Sequence, residues 1–328
     1  MKGRETQHAT PDHMTPDTSL ERITFGGWNN CYRLTDGRVV AVIVADVGPR
    51  VLVLGLVGGQ NLLCEHPEQW GLTGGDEFRV YGGHRFWHAP EHNVRTYQPD
   101  NAPAEAAPLP AGDGLRLLAP VEAPTRMQKE WEIRLEAAGT FRVTHRLHNR
   151  GLWPVECAPW AISAMAPGGQ AILPLPPRGP HPEFILPTST LSLWPYTDLS
   201  DPRFVFGRQF IRLRAVAGAA TPQKIGASVP NGWAAYALNG QLFIKLFEVH
   251  PGARYPDLGV NVELFTDADM LELETLGPLT VIEPGGFAEH EERWGIGDGL
   301  PDLADEAAIE QHVADRAREM GEVGEPRL

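Results

Sequence analysis

The sequence predicts an all-β protein, and three observations support that prediction. Short apolar runs with two-residue alternation recur along the chain, Gly, Pro, Asn and Asp separate them, and helical spacing is confined to the end. Of the 328 residues, 42% are apolar and 21% are charged, which is typical of a globular protein with an ample core. Because large β-sandwiches reach this length as one unit, we expect a single β domain.

The clearest pair of strands is a hairpin near the start of the chain. Residues 39–44 and 51–56 are rich in β-branched side chains and flank the turn-forming residues 46–49. In residues 131–135 apolar and charged side chains alternate, which predicts a strand with one face in solvent. Further strands are predicted at 141–147, 234–238, 242–249, 270–276 and 279–282.

Three segments are expected along the chain. Residues 1–19 are polar and rich in Pro and Thr, which predicts a disordered leader. Residues 20–300 carry the strand pattern, so we expect them to form the β domain. In 301–328 apolar residues recur on one helical face among charges, which predicts a C-terminal helix and a tail.

Two long segments interrupt the strand pattern. Residues 82–100 are rich in aromatic residues and His, and residues 174–187 contain six prolines. Proline lacks the backbone N–H that a sheet needs, so we expect loops here. Long ordered loops on a β scaffold commonly carry function.

The charge balance narrows the classes of partner. A formal charge of −14 repels nucleic acid and anionic membrane surfaces, so neither is an expected partner. The chain has no apolar run of the ~20 residues that span a bilayer and no secretory signal, which favours a cytoplasmic protein. The three cysteines are far apart and odd in number, so we expect buried thiols rather than disulfides or a zinc motif. No cofactor is expected, and the oligomeric state is left open.

The densest group of functional side chains lies in residues 81–91, YGGHRFWHAPE. Aromatic rings stack on the apolar face of a sugar, while imidazole, guanidinium and carboxylate groups bind its hydroxyls. If the segment is extended, alternate side chains point to opposite sides and cannot all reach one ligand. The candidate sugar contacts are His84, Arg85, Trp87, His88 and Glu91.

A metal is a possible ligand for the same segment. His84, His88 and Glu91 offer three ligand atoms, but Pro90 prevents the helix that would align them, and no His-Glu-x-x-His motif occurs. We therefore predict that no metal binds here.

Carboxylates are frequent on the late strands. Glu272 and Glu274 share one face and alternate with leucines, which favours a solvated strand face. Glu263 lies just before a predicted turn at the mouth of the sheet, where a carboxylate can serve as a general base.

Several motifs resemble the galactose mutarotase (aldose 1-epimerase) superfamily. They are GGWNNCYRL, YGGHRFWHAPE, APWAISAMAPGG, LPLPPRGPHPE and MLELETLGPL, and they resemble a bacterial branch of that superfamily. The likeness runs from about residue 23 to residue 294. It implies a β-supersandwich with long loops and a concave face that binds a carbohydrate.

The resemblance also implies a mechanism in which a Glu takes the anomeric proton and a His protonates the ring oxygen. Glu263 matches the position of the general base. Where epimerases carry the acid His, this chain has Ala158-Pro159-Trp160-Ala161, so His84 or His88 would have to replace it. His84 is the catalytic acid that we expect.

Other residues are candidates for holding the sugar. Trp160 is either a stacking platform or a core residue. Arg178 in the Pro-rich loop, and Lys129 and Lys224, are candidates to bind a carboxylate or phosphate on the ligand, with Arg178 preferred.

The sequence thus leaves three functional classes open. The first is an enzyme on a sugar or sugar acid, with epimerase or mutarotase chemistry as its best-specified form. The second is a non-catalytic carbohydrate-binding module or sensor. The third is a lyase or glycoside hydrolase on the same scaffold, which needs a Tyr/His pair or two facing carboxylates.

Overall fold

Two antiparallel β-sheets dominate the computed structural model, which describes residues 18–136 and 139–321. Within those residues the first sheet has eleven strands and the second has ten. The strands of the first sheet are β1 Ser19–Phe25, β2 Trp28–Thr35, β3 Val39–Val44, β4 Arg50–Leu56, β5 His84–Ala89, β10 Val155–Met165, β12 Leu191–Leu193, β15 Gln223–Ala227, β18 Val262–Thr266, β19 Leu271–Leu276 and β20 Thr280–Ile282. Those of the second sheet are β6 Glu105–Pro108, β7 Gly114–Leu118, β8 Met127–Glu136, β9 Thr140–Asn149, β11 Gln170–Pro174, β13 Phe204–Phe206, β14 Phe210–Arg214, β16 Trp233–Leu238, β17 Gln241–Phe247 and β21 Phe287–Gly297.

Strand order places distant parts of the chain side by side. The first sheet runs β1-β2-β3-β4-β5-β10-β19-β18-β15-β12, and β20 also pairs with β10. The second runs β13-β14-β11-β16-β17-β21-β9-β8-β7-β6. The middle of the first sheet therefore joins β5, from the first third of the chain, to β18 and β19, from the last third.

The main core lies between the two sheets. Each strand of the first sheet sends alternate side chains toward the second sheet, and Phe86, Leu264 and Leu273 are fully or almost fully buried there. Trp131 and Trp294 meet them from the second sheet. The side chains between these positions point to the opposite face of the first sheet.

The hairpin and most other predicted strands are confirmed, but one predicted loop is wrong in part. β3 pairs with β4 as the β-branched runs indicate. Residues 84–89, expected in a loop, form the central strand β5, and all six are buried. Because β5 buries polar side chains on both faces, its sequence lacks the apolar pattern of a central strand. No strand is assigned in 175–190, in agreement with the Pro-rich loop.

A helical segment packs on the second sheet near the end of the chain. It comprises Glu306–Ile309, Glu310–Ala314 with wider π-type turns, and Asp315–Met320. It starts later than residue 301 because the Asp305 side chain accepts a hydrogen bond from the Ala308 N–H and caps it.

Some sequence predictions lie at the limits of the described residues. Most of the expected leader, residues 1–17, and the tail 322–328 lie outside them. The division of the chain into a domain and a C-terminal segment at 300/301 stays a prediction. All three cysteines are free and buried, as expected. Over the described residues, none of the helices has the length and apolar character to cross a bilayer.

Candidate functional site

The candidate site lies on the face of the first sheet that points away from the second sheet, which we call the outer face. Alternation along the strands decides which side chains reach it. Val262 and Leu264 point into the core, so Glu263 points outward, and Leu273 likewise leaves Glu274 on the outer face. The outer-face cluster consists of Arg85, Trp87, Trp160, Lys224, Glu263, Glu272 and Glu274.

Two carboxyl groups and one ammonium form the centre of this cluster. Glu263 and Glu274 are directly opposite each other on β18 and β19. Lys224, on the next strand β15, places its Nζ 2.6 Å from Glu263 Oε2 and 3.4 Å from Glu274 Oε2. All three side chains are at most 5% exposed. The two carboxyl groups thus share one ammonium, and Glu263 is the closer of the two to it.

A second ion pair and two indoles continue the cluster toward β5. Arg85 Nη2 donates to Glu272 Oε1 at 2.7 Å, and its guanidinium lies 4.5 Å from the ring centroid of Trp87. The Trp160 Nε1–H donates to Glu274 Oε2 at 2.7 Å, and the Lys224 ammonium lies 4.9 Å from the Trp160 ring. Trp160 therefore contacts both an acid and a cation of the site.

Burial changes the proton affinity of the paired carboxyls. It raises the pKa of Glu274 to about 7, and it raises the pKa of Glu263 well above its ordinary value, although Lys224 acts in the opposite direction on both. The same two carboxylates raise the pKa of Lys224 despite its burial. Burial thus favours the protonated form of each carboxyl, while Lys224 stays an ammonium.

Several polar atoms of the cluster have no hydrogen-bond partner among the described protein atoms. They are Glu263 Oε1, Glu274 Oε1, Trp87 Nε1, and the Nε and Nη1 atoms of Arg85. Buried polar atoms in proteins are almost always paired, so such a concentration of acceptors and donors on one face indicates a place for a polar ligand.

Aromatic side chains cover the site. Trp194, just after the edge strand β12, lies 4.7 Å from the Lys224 ammonium through its ring. It fits because Gly226 has no side chain, since a Cβ there would lie 3.3 Å from Trp194 Cη2. On the other side Phe78 and Tyr97 pack on Trp87 at ring distances of 5.5 and 5.0 Å. Under this cover Glu263 and Glu274 are at most 1% exposed.

His84 lies on the opposite side of β5 from this site. Its side chain points between the sheets, is fully buried, and packs on Trp131 and Trp294 at ring distances of 5.1 and 4.6 Å. Burial lowers its pKa well below the ordinary value, so the ring is neutral. The expectation that His84 replaces the missing acid of the epimerases does not fit this geometry.

His84 belongs to a buried polar network that we call the inter-sheet cluster. Its Nε2 lies 2.9 Å from His145 Nε2, and its Nδ1 lies 2.8 Å from Ser163 Oγ. The members of the cluster are His84, His145, Ser163, Lys245, Thr275, His290 and Glu292. None of these side chains has a buried polar atom without a partner.

One set of atoms in this cluster has the spacing of metal ligands. Nitrogens of His84 and His145 and an oxygen of Glu292 lie within 4.8 Å of one another. The Lys245 ammonium, however, lies 2.9 Å from the Glu292 carboxylate and already balances its charge in a fully buried position. A divalent ion would add uncompensated positive charge to the core, so these residues do not fit a metal site. The alternative set from the sequence fails as well, because His88 and Glu91 lie elsewhere.

His88 and Glu91 do not join the carboxyl pair. His88 points to the same side of β5 as His84, and burial lowers its pKa to about 4. Glu91 is exposed and accepts a hydrogen bond from the Tyr97 hydroxyl. Of these two residues, only Glu91 is near the outer face, because Tyr97 packs on Trp87.

The basic residues expected to hold an anion are separated. Arg178 is exposed in a cleft of about 610 Å³ beside the C-terminal helix, and Arg208 and Glu306 line the same cleft. No residue of the outer-face cluster lines it. Lys129 forms an ion pair with Glu122 at 2.9 Å. Of these three residues, Lys224 alone lies in the outer-face cluster, where it forms ion pairs with Glu263 and Glu274.

The structure thus brings together Arg85, Trp87, Trp160 and Glu263 from the predicted site. It adds Glu272 and Glu274 as functional candidates and places Lys224, a candidate anion ligand from the sequence, between Glu263 and Glu274. The prediction of a solvated face for the two glutamates is wrong, because they are 0% and 7% exposed under the aromatic cover. The alternation of Glu272 and Glu274 with leucines predicts that the strand has a polar face and an apolar face. It does not predict that aromatic side chains cover the polar face.

Comparisons with known proteins agree with the architecture. Neither a protein-family model nor a curated protein sequence matches the chain. Among solved structures, a candidate aldose 1-epimerase from Escherichia coli K12 superposes with a TM-score of 0.56 at 12% identity, covering 82% of this chain and 99% of its own. One from Klebsiella pneumoniae gives 0.53 at 12% identity, with 93% and 88% covered. A galactose mutarotase-like protein from Lactobacillus casei gives 0.51 at 10% identity, with 82% and 100% covered.

These superpositions show the fold, but sequence identities this low leave the activity open. The two-sheet architecture is what the sequence motifs led us to expect. The chain therefore has the galactose mutarotase-like β-sandwich fold.

Proposed function

We propose that the protein binds a sugar on the outer face of the first sheet and catalyses the exchange of its anomers, with Glu263 as general base. The observation that carries this proposal is the buried pair of Glu263 and Glu274 around Lys224, each carboxyl with an oxygen free of protein partners. A buried pair of carboxyls with raised pKa values is typical of acid–base sites.

The surrounding side chains suit a carbohydrate. Trp87 and Trp160 lie with their rings 5.5 Å apart and present apolar surface for the C–H face of a pyranose. The free donors of Arg85 and the free oxygens of the carboxyl pair match the mixed donors and acceptors of sugar hydroxyls. Each of the two cations has a carboxylate partner, and the charges of the cluster balance when one of its three carboxyls carries a proton.

The ligand enters by displacing the aromatic cover. β12 is an edge strand of only three residues, and Trp194 and Tyr196 follow it directly. Short edge segments are held by few contacts, so this part of the cover is the one that opens at least cost. Its closure over the ligand excludes water from the carboxyl pair, which strengthens the electrostatic interactions there.

The proposal is tested by saturation-exchange NMR on a panel of aldoses with the purified full-length protein. We expect exchange between α and β anomers above the uncatalysed rate, and a loss of about 100-fold or more in Glu263→Gln, as for other general bases. Glu283→Gln is the matched control, because Glu283 is an exposed residue of a turn outside the cluster.

A second candidate function is non-catalytic sugar binding, and the positions of the histidines favour it. The two imidazoles that were expected to supply the acid, His84 and His88, point away from the outer face. This alternative predicts sugar-dependent thermal stabilisation without anomer exchange, in both the native protein and Glu263→Gln.

A further inference from the structure

We infer that Glu274 is the general acid of this site and that Glu263 and Glu274 work as a base and acid pair sharing one proton. The inference rests on the proposed function, since it names the group that replaces the histidine of the epimerases. It uses a residue that the sequence pattern assigns to a solvated strand face.

The geometry distinguishes the two carboxyls. The Lys224 ammonium is 2.6 Å from Glu263 and 3.4 Å from Glu274, and this shorter ion pair places the negative charge on Glu263, against burial, which raises the pKa of Glu263 further than that of Glu274. The nearest donor to Glu274 Oε2 is the neutral Trp160 indole at 2.7 Å, and the Lys224 ammonium is a longer second donor to the same oxygen. Its Oε1 has no protein partner and is the oxygen that carries the transferable proton.

The pair is close enough to act on one sugar carbon. Residues directly opposite on neighbouring antiparallel strands have Cβ atoms about 5 Å apart. The hydroxyl oxygen and the ring oxygen of an anomeric centre are bonded to the same carbon, so two carboxyl oxygens on adjacent strands can contact both.

The proton balance closes without a cofactor. Glu274 gives its proton to the ring oxygen as the bond between that oxygen and the anomeric carbon breaks, and the bonding electrons stay on the oxygen. Glu263 takes the proton of the anomeric hydroxyl, and the carbon–oxygen double bond of the open-chain aldehyde forms. After rotation about the adjacent carbon–carbon bond, both transfers run in reverse and restore the starting protonation.

Several charged or titratable groups face the pair and set its proton affinity. They are Lys224 on β15, Glu272 on β19, Arg85 on β5, Asp257 in the loop before β18, and Tyr196 after β12. Burial is the largest influence on Glu274, and the Trp160 hydrogen bond favours its ionised form. Trp160 is therefore a positioning residue, because it acts on the ligand's chemistry through Glu274.

The test is the pH dependence of the anomer exchange rate. A general acid must be protonated, so the rate in the native protein should fall as pH rises through about 7, the pKa of Glu274. Trp160→Phe keeps a ring and removes the N–H donor, which should move this decline to higher pH. Glu274→Gln should lower the rate by about 100-fold or more and abolish the decline. Trp153→Phe, at an exposed indole in the turn between β9 and β10, is the matched control.

The outcomes separate the inference from the function on which it rests. If the native protein exchanges no sugar, both are overturned. If it does and Glu263→Gln is inactive, but Glu274→Gln retains the native rate and pH profile, only the inference is overturned. Should Glu274→Gln fail to fold, an unshifted profile in Trp160→Phe overturns the inference, and a shift to higher pH supports it.

Discussion

The first sheet carries a buried polar cluster on each face, and the two differ in how completely they are satisfied. In strand β19, Glu274 points into the outer-face cluster, whereas its neighbour Thr275 points into the inter-sheet cluster. Both clusters contain a lysine in contact with a glutamate at less than 3 Å. The same strands therefore support two arrangements of similar groups under similar burial.

In the inter-sheet cluster, every buried side-chain polar atom has a hydrogen-bond partner. Lys245 bonds Glu292 and the Leu273 carbonyl, and Glu292 also accepts from Thr275 and the Trp294 indole. A fully hydrogen-bonded network stabilises one arrangement of the two sheets and has no unpaired donor or acceptor for a ligand.

In the outer-face cluster, two carboxyl oxygens and several donors stay unpaired, and the cover above them is aromatic and attached to an edge strand. The comparison teaches that burial of charge alone does not identify a functional site. Several unpaired polar atoms on one face are a stronger indication, because a ligand that pairs them lowers their free energy.

Breaking the inter-sheet cluster should give the largest effect on stability. Glu292→Ala leaves the Lys245 ammonium buried without a partner, so we expect the free energy of unfolding to fall by about 4 kcal/mol. Urea unfolding measures it. The double variant Lys245→Met/Glu292→Gln removes the unpaired charge and should recover most of the loss. A single variant as stable as the native protein would contradict the structural role of the cluster.

Acid should weaken the inter-sheet cluster next. Burial lowers the pKa of His145 from 6.5 to about 4 and that of His290 to about 3, so both rings are neutral when folded. The unfolded chain takes up protons first, and stability is therefore lost as pH falls below about 6.5 toward these values. For His145 the loss is about 3 kcal/mol, at 1.36 kcal/mol for each pKa unit. Urea unfolding from pH 7 to 4 measures the slope, and a flat profile would argue against neutral buried histidines.

The outer-face cluster should respond in the opposite direction, with its stability falling as pH rises. Because burial raises the pKa of Glu274 to about 7 from 4.5, its ionisation opposes folding as pH rises through that interval. Glu274→Gln removes this cost and leaves Lys224 with Glu263, so we expect a gain of up to about 3 kcal/mol at pH 8, at 1.36 kcal/mol for each pKa unit. Thermal unfolding at pH 8 tests it, with Glu283→Gln as the neutral control. A clear destabilisation would show that Glu274 is a structural acid.

The sequence predicted much of the fold because strand periodicity and turn residues are local signals. The hairpin of β3 and β4 and the alternation of residues 131–135 needed no knowledge of distant parts of the chain. The alternation within residues 84–88 also separated Arg85 and Trp87 from the histidines, before any strand was assigned there.

The composition of the site was harder to predict because it depends on strand order. Lys224, Glu263 and Glu274 come together only because β15, β18 and β19 are neighbours. Nothing local to Glu274 distinguishes a solvated face from one under aromatic loops, since both give the same alternation with leucine. The Pro-rich loop likewise places Arg178 beside the C-terminal helix, which its own sequence does not indicate.

The central claim is that the outer-face carboxyl pair catalyses anomer exchange, and saturation-exchange NMR of an aldose panel at neutral pH tests it most directly. The account predicts exchange above the uncatalysed rate in the native protein and in Glu283→Gln, and its loss in Glu263→Gln at unchanged thermal stability within about 1 kcal/mol. Uncatalysed rates for every sugar, or equal rates in the native protein and Glu263→Gln, would contradict it.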